Sequence, residues 1–152
     1  MSDRESMLQA IRDGYAARVR GDLDGVMQVF AEDASFRLNA APPQVHLAHF
    51  AQDRDALRTS LAQLIDTFSF SDLQILDSIV EGSKVAVRLS FTVKAKPTGN
   101  VSRMEVFDLF EFKDGKIVSM TQFFDTAAAA QLLLPETRYA AASGSQTPTV
   151  SL

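Results

Sequence analysis

The sequence holds no cysteine in its 152 residues, which excludes disulfide staples, thiolate nucleophiles and every zinc site that needs sulfur. Tryptophan is absent too, and the only histidines are His46 and His49. They stand three apart in a stretch that also carries Pro42-Pro43 and Asp53. A histidine pair on a loop is a weak metal signal, so both are expected at the surface or on a lid, with no metal. No stretch approaches the ~18 consecutive apolar residues of a membrane span. The opening Met1-Ser2-Asp3-Arg4-Glu5 has neither the basic region nor the apolar run of a secretory leader. A cytoplasmic location with no membrane partner is expected. Basic clusters are also lacking and the net charge is −4, whereas phosphate backbones are held by concentrated Lys and Arg; no nucleic-acid partner is expected. With no Gly-rich phosphate loop and no Ser-His-Asp pattern, no cofactor is expected either.

What remains is a globular composition, 46% hydrophobic and 22% charged, at a length that supports one core. Eleven Phe furnish an interior that also suits an apolar ligand. Ser2 and Glu5 make a capping-box pattern, after which Leu8, Ile11, Tyr15 and Val19 recur at helical spacing until Gly21. Asp22 caps a second predicted helix with the stripe Leu23, Val26, Met27 and Phe30, ending near Glu32-Asp33. Residues 34–39 alternate as a short strand, 40–52 read as a loop, and Asp53 or Asp55 opens a helix carrying Leu57, Leu61, Leu64, Ile65 and Phe68.

From Ser69 the period becomes two. Four strands are predicted at 70–81, 84–96, 101–113 and 116–125, and the Asp114-Gly115 pair between the last two is a strong hairpin signal because both positions need positive φ. Thr126 is placed as the cap of a short helix that Pro135 ends, with Asp125 beside it also read as a capping residue. Residues 1–135 are thus expected to form one α+β domain, with 136–152 as a loose tail. A long antiparallel meander must twist and curl, and closed at one end by helices it leaves a cavity.

The runs Gly21-Asp22-Leu23-Asp24-Gly25 and Phe30-Ala31-Glu32-Asp33-Ala34, with Phe112 to Val118 and Phe123-Phe124-Asp125-Thr126, resemble the nuclear transport factor 2-like superfamily over residues 5–134. The SnoaL-like cyclases and ketosteroid isomerases are the subgroups most similar. The resemblance implies a cone of about three helices and a curled antiparallel sheet around one pocket. It also implies a homodimer paired through the outer sheet face, where Phe107 and Leu109 lie between Glu105 and Glu111.

Asp108 interrupts the apolar row Met104, Val106, Phe110, Phe112. Desolvation raises a carboxyl's pKa, and a protonated acid donates a hydrogen bond. The resemblance implies such a role: in the ketosteroid isomerases a strand aspartic acid at this place pairs with a helix-one tyrosine, here Tyr15, to hold the enolate oxygen. It also implies a pocket lined by Tyr15, Phe36, Leu38, Val106, Asp108, Phe110, Met120, Gln122 and Phe124. The bases of the related enzymes are replaced. Leu38 stands where the isomerases keep a carboxylate, and Gln122 where the cyclases and limonene epoxide hydrolase keep one. Of the hydrolase Arg-x-Asp pair, Arg88-Leu89-Ser90 retains the arginine alone. A general base contributes typically ~10²–10⁴-fold, so isomerisation by the family mechanism is not expected. Three functions remain open: a pocket binding a steroid-, polyketide- or phenol-like molecule; an isomerase, cyclase or lyase using Asp108 as oxyanion donor; and a dimeric module with a vestigial pocket.

Overall fold

The computed structural model describes residues 3–135; the capping residue Ser2 and the expected tail 136–152 lie outside them. Helix α1 (Asp3–Arg20) leads through Gly21, at φ 71°, into α2 (Leu23–Gln28). Asp22 caps α2 by accepting from the Gly25 amide at 3.0 Å. A side chain at Gly25 would stand 2.9 Å from the Ala17 Cβ, so the missing Cβ lets α2 lie close on α1. Then follow β1 (Phe30–Asn39), a short turn of 3₁₀ helix at Val45–Leu47, β2 (His49–Ala51) and α3 (Arg54–Thr67), which Asp53 caps through the Ala56 amide at 2.8 Å.

The meander comprises β3 (Phe68–Glu81), β4 (Lys84–Ala95), β5 (Val101–Lys113) and β6 (Lys116–Phe123). Asp114 and Gly115 both take positive φ, 51° and 79°, as the β5–β6 hairpin requires. Helix α4 (Thr126–Leu132) closes the described chain. Its cap is Asp125, which accepts from the Ala128 amide at 3.0 Å; Thr126, the expected cap, is instead the first helical residue.

Three other boundaries differ from the sequence expectation. The second helix ends at Gln28, and Phe30 opens a strand, because its side chain reaches the core from β1 as readily as from a further helical turn. The loop 40–52 contains β2, too short to show alternation. Strand β1 pairs parallel with β6, giving the order β2-β1-β6-β5-β4-β3 in one mixed sheet. The antiparallel meander is therefore extended by a parallel joint between segments some eighty residues apart in the chain. The helices cover the concave face, and the core consists of the inner residues of β1, β4 and β5 together with Met7, Ile11, Val26, Met27, Leu57 and Leu61. Among the described residues no helix is long and apolar enough to cross a membrane.

Candidate functional site

The inner face of the sheet fixes the site through its registers. Leu38 of β1 lies opposite Gln122 of β6, Gln122 opposite Asp108 of β5, and Asp108 opposite Val87 of β4. These four therefore stand in one row across the sheet, all facing the helices. Phe36, Met120, Phe110 and Val85 form the adjacent row. On β5 every second residue from Met104 to Phe112 is buried and those between are exposed, which places Asp108 on the inner face, as its alternation predicts.

Between this wall and α1, α2, α3 and α4 lies a cavity of about 120 Å³. Phe36 and Leu38 line it from β1, Val106 and Phe110 from β5, Met120 and Gln122 from β6; Tyr15 enters from α1, and Phe124 from the link to α4. Asp108 is adjacent but not on the wall. It has no solvent-exposed surface, and both its oxygens are engaged: the Tyr15 hydroxyl donates to Oδ2 at 2.6 Å, and the Gln122 amide nitrogen donates to Oδ1 at 2.8 Å. Direct donation from Asp108 to a ligand, the role implied by the resemblance, would require it to release one of these partners.

Burial pushes the Asp108 carboxyl up from 3.8 to about 6, against the opposing pull of the Tyr15 and Gln122 hydrogen bonds. It is thus ionised at neutral pH. Tyr15 is held well above its ordinary value, by burial first and by the Asp108 charge second, so its proton stays on. With Asp108 ionised, the Tyr15 hydrogen points at the carboxylate and the phenolic oxygen turns its lone pairs elsewhere. Gln122 keeps its carbonyl oxygen and its second N–H. Tyr15 also packs edge-on against Phe110, with ring centroids 6.2 Å apart, which fixes the ring.

The one charged residue of the wall, among the described residues, is absent from the sequence expectation. Arg18, one turn beyond Tyr15 on α1, lines the cavity. Its Nη2 donates to the carbonyls of Phe68 at 2.7 Å and Leu64 at 3.2 Å, at the C-terminal end of α3, and its guanidinium carbon lies 3.8 Å from the centre of the Phe70 ring. Phe70 stacks on Phe91 at 4.0 Å. The inward stripe of α1 runs from Met7 and Ile11, both buried, to Tyr15 and Arg18, both half-buried, whereas Val19, expected on it, is exposed. The signal was available: Met7, Ile11, Tyr15 and Arg18 also follow helical spacing, and a cation on an apolar stripe is unusual.

The other candidates lie elsewhere. Arg88 is on the outer sheet face, ion-paired with Asp77 and Glu105 at 2.7 Å each, so it has no access to the cavity. His46 is exposed in the 3₁₀ turn; His49 opens β2, half-buried, with its pKa lowered by burial. Asp53 is engaged in capping α3. No three metal-capable side chains gather among the described residues.

A helix-backed curled sheet around a single-ended cavity of this kind defines the nuclear transport factor 2-like class. The family model described as SnoaL-like domain matches residues 11–120, and the chain belongs to that family. Among solved structures, it is similar to a nuclear transport factor 2-like protein of unknown function from Burkholderia pseudomallei, with 22% identity, TM-score 0.70 and coverage of 88% of this chain and 98% of that one. A second such protein, from Burkholderia thailandensis, shares 24% identity at TM-score 0.68, covering 85% and 98%. An LEH-like epoxide hydrolase from M. tuberculosis shares 18% at TM-score 0.68, covering 93% and 98%. At these identities the likeness is one of fold.

Proposed function

We propose that this protein binds a small apolar molecule carrying a hydrogen-bonding oxygen, which docks against Tyr15 and Gln122, and that it has no proton-abstracting residue of its own in the cavity. The observation that carries this reading is the wall itself, whose residues include no Asp or Glu, while the one nearby carboxylate is sealed behind its two donors. Relatives include an epoxide hydrolase, so small-molecule pockets are at home on this fold; the residue set here supports holding a molecule over transforming it.

Size narrows the ligand. A cavity of about 120 Å³ falls below the ~300–1,000 Å³ of drug-sized sites and is near the ~150 Å³ that accommodates benzene. A one-ring phenol or cyclic ketone fits this space; a four-ring steroid does not. At neutral pH the ionised Asp108 orients Tyr15 as an acceptor, so a ligand hydroxyl donates to it and accepts from the free Gln122 N–H. Titration with phenol, followed by calorimetry, tests this. Tyr15→Phe and Gln122→Ala should each weaken binding about 3- to 10-fold, the range for one hydrogen bond. Unchanged affinity in both variants would place the ligand oxygen elsewhere and remove the reading.

Homodimerisation through the outer sheet face belongs to the same proposal. Phe107 and Phe123 are direct cross-strand neighbours there, and with Leu109 they are 42%, 48% and 42% exposed. A contiguous apolar centre ringed by Arg88, Glu105 and Glu111 suits a self-complementary contact. Light scattering at micromolar concentration should give twice the chain mass, and Phe107→Glu should give the monomer. A wild-type monomer overturns this part alone.

A further inference from the structure

Arg18 carries a charge for which the described protein supplies no counterpart. Its five N–H groups meet two acceptors, both backbone carbonyls reached through Nη2, and Nε and Nη1 have no acceptor among the described residues. None of the ion pairs among the described residues includes it. The Leu64 carbonyl lies in the last turn of α3 and the Phe68 carbonyl on its C-cap residue, an end whose partial negative charge favours a cation, and the Phe70 face adds a cation–π contact. Those contacts fix the position of the guanidinium. They do not neutralise it, and burial alone lowers its pKa to about 10, so it remains charged at neutral pH in a wall that is otherwise almost entirely apolar.

We propose that Arg18 anchors a carboxylate of the bound molecule, and hence that the ligand is a one-ring organic acid with a hydroxyl or carbonyl at its other end. This rests on the reading of the cavity as a ligand site. Tyr15 and Arg18 are three residues apart on one helix face, so their Cβ atoms are about 5–6 Å apart. The side chains diverge from there, Tyr15 to Asp108 on β5 and Arg18 to the α3–β3 junction. A ring lying between them along α1 places one polar substituent at each. The aromatic pair Phe70 and Phe91 and the aliphatic Leu64 and Val93 supply the apolar surface between. An anion entering here meets a half-buried cation already held in place, so part of the cost of pairing the charge is met in advance.

The test compares 4-hydroxybenzoate, its methyl ester and phenol by calorimetry at pH 7.5 on the full chain. The acid should bind the wild-type protein at least about tenfold more tightly than the ester, the scale of a hydrogen bond to a charged group. Arg18→Met should erase or invert that preference. If phenol binds wild-type protein but the ester equals or exceeds the acid, the anion anchor is wrong and the ligand site stands. Absence of binding by all three ligands removes the ligand site itself, and the anchor with it. The wild-type comparison needs no variant, so a failure of Arg18→Met to fold does not rescue the proposal.

Discussion

Asp108→Asn should unfold at a higher temperature than the wild-type protein at pH 7.5, by several degrees, and the gap should narrow to about half as the pH is lowered to 5, closing only below the unfolded value of 3.8. The carboxyl is fully buried and titrates at about 6 in the native state against 3.8 in the unfolded chain. Between those two values the native state binds the proton and the unfolded state does not, so stability falls as pH rises through this window. Above about 6 both states are ionised, and the folded protein carries a constant penalty of about 3 kcal/mol, roughly two pKa units at 1.36 kcal/mol each. Asparagine has the same shape and no charge. Its oxygen can accept from one of Tyr15 and Gln122 while its nitrogen donates to the other, so no buried polar atom is stranded. Thermal unfolding of both proteins from pH 5 to 8 checks the claim. A wild-type curve that rises over this range, with the asparagine variant below it, would mean that the Tyr15 and Gln122 hydrogen bonds outweigh desolvation.

That penalty bears on function. A site that binds only by apolar contact would gain from asparagine or leucine at this position, whereas an ionised Asp108 holds the Tyr15 hydrogen inward and one Gln122 N–H with it, so that this end of the cavity presents a defined set of lone pairs and the one remaining Gln122 N–H. Stability is given up for orientation at a place where a polar ligand would need it. Protonation below about pH 6 reverses the arrangement: the carboxyl becomes a donor, and Tyr15 is released to donate into the cavity.

The parts of this site written in the sequence are those set by local period. Alternation along residues 101–113 put Asp108 among Val106 and Phe110, and alternation from Met120 to Phe124 put Gln122 on the inner face, because a strand flips its side chains at every residue whatever it pairs with. What alternation could not give was the pairing. That Asp108 faces Gln122, and Gln122 faces Leu38, depends on a hairpin register and on a parallel β1–β6 joint between distant segments. Gln122 as a donor to Asp108 became visible only with those registers, whereas the Tyr15 contact from α1 was already implied by the resemblance. Arg18 escaped for a different reason: Tyr15 to Val19 and Tyr15 to Arg18 are both helical steps, and hydrophobicity favoured the valine. The packing instead rotated α1 so that the arginine reached the α3 carbonyls and the Phe70 ring. The same ambiguity between local options misplaced Phe30, whose i, i+3 relation to Met27 suits a helix, although Phe30 belongs to β1.

Leu38→Asp should give the cavity slow isomerase activity toward a cyclic ketone. Leu38 is on the wall, nearly fully buried, and directly opposite Gln122 in the β1–β6 register. A carboxylate placed there faces the same space as Tyr15 and Gln122, and desolvation raises its pKa toward the working range of a general base. It would take the proton between the carbonyl and the double bond of a β,γ-unsaturated cyclohexenone and return it at the far carbon. The Gln122 N–H, and Tyr15 when Asp108 is protonated, would stabilise the oxyanion in between. Formation of the conjugated enone, followed by its absorbance, should be about 10²-fold faster or more than with wild-type protein, the lower end of what a positioned base supplies. The rate should rise with pH as the new carboxyl ionises. Leu38→Asn has the same size and polarity without the base and should stay at the wild-type rate. A burying carboxylate is costly, so folding of each variant is verified by circular dichroism and phenol binding. Two outcomes sink the assignment of roles in the cavity: a folded, phenol-binding Leu38→Asp protein no faster than Leu38→Asn, or a wild-type protein that isomerises the ketone as fast as the aspartate variant.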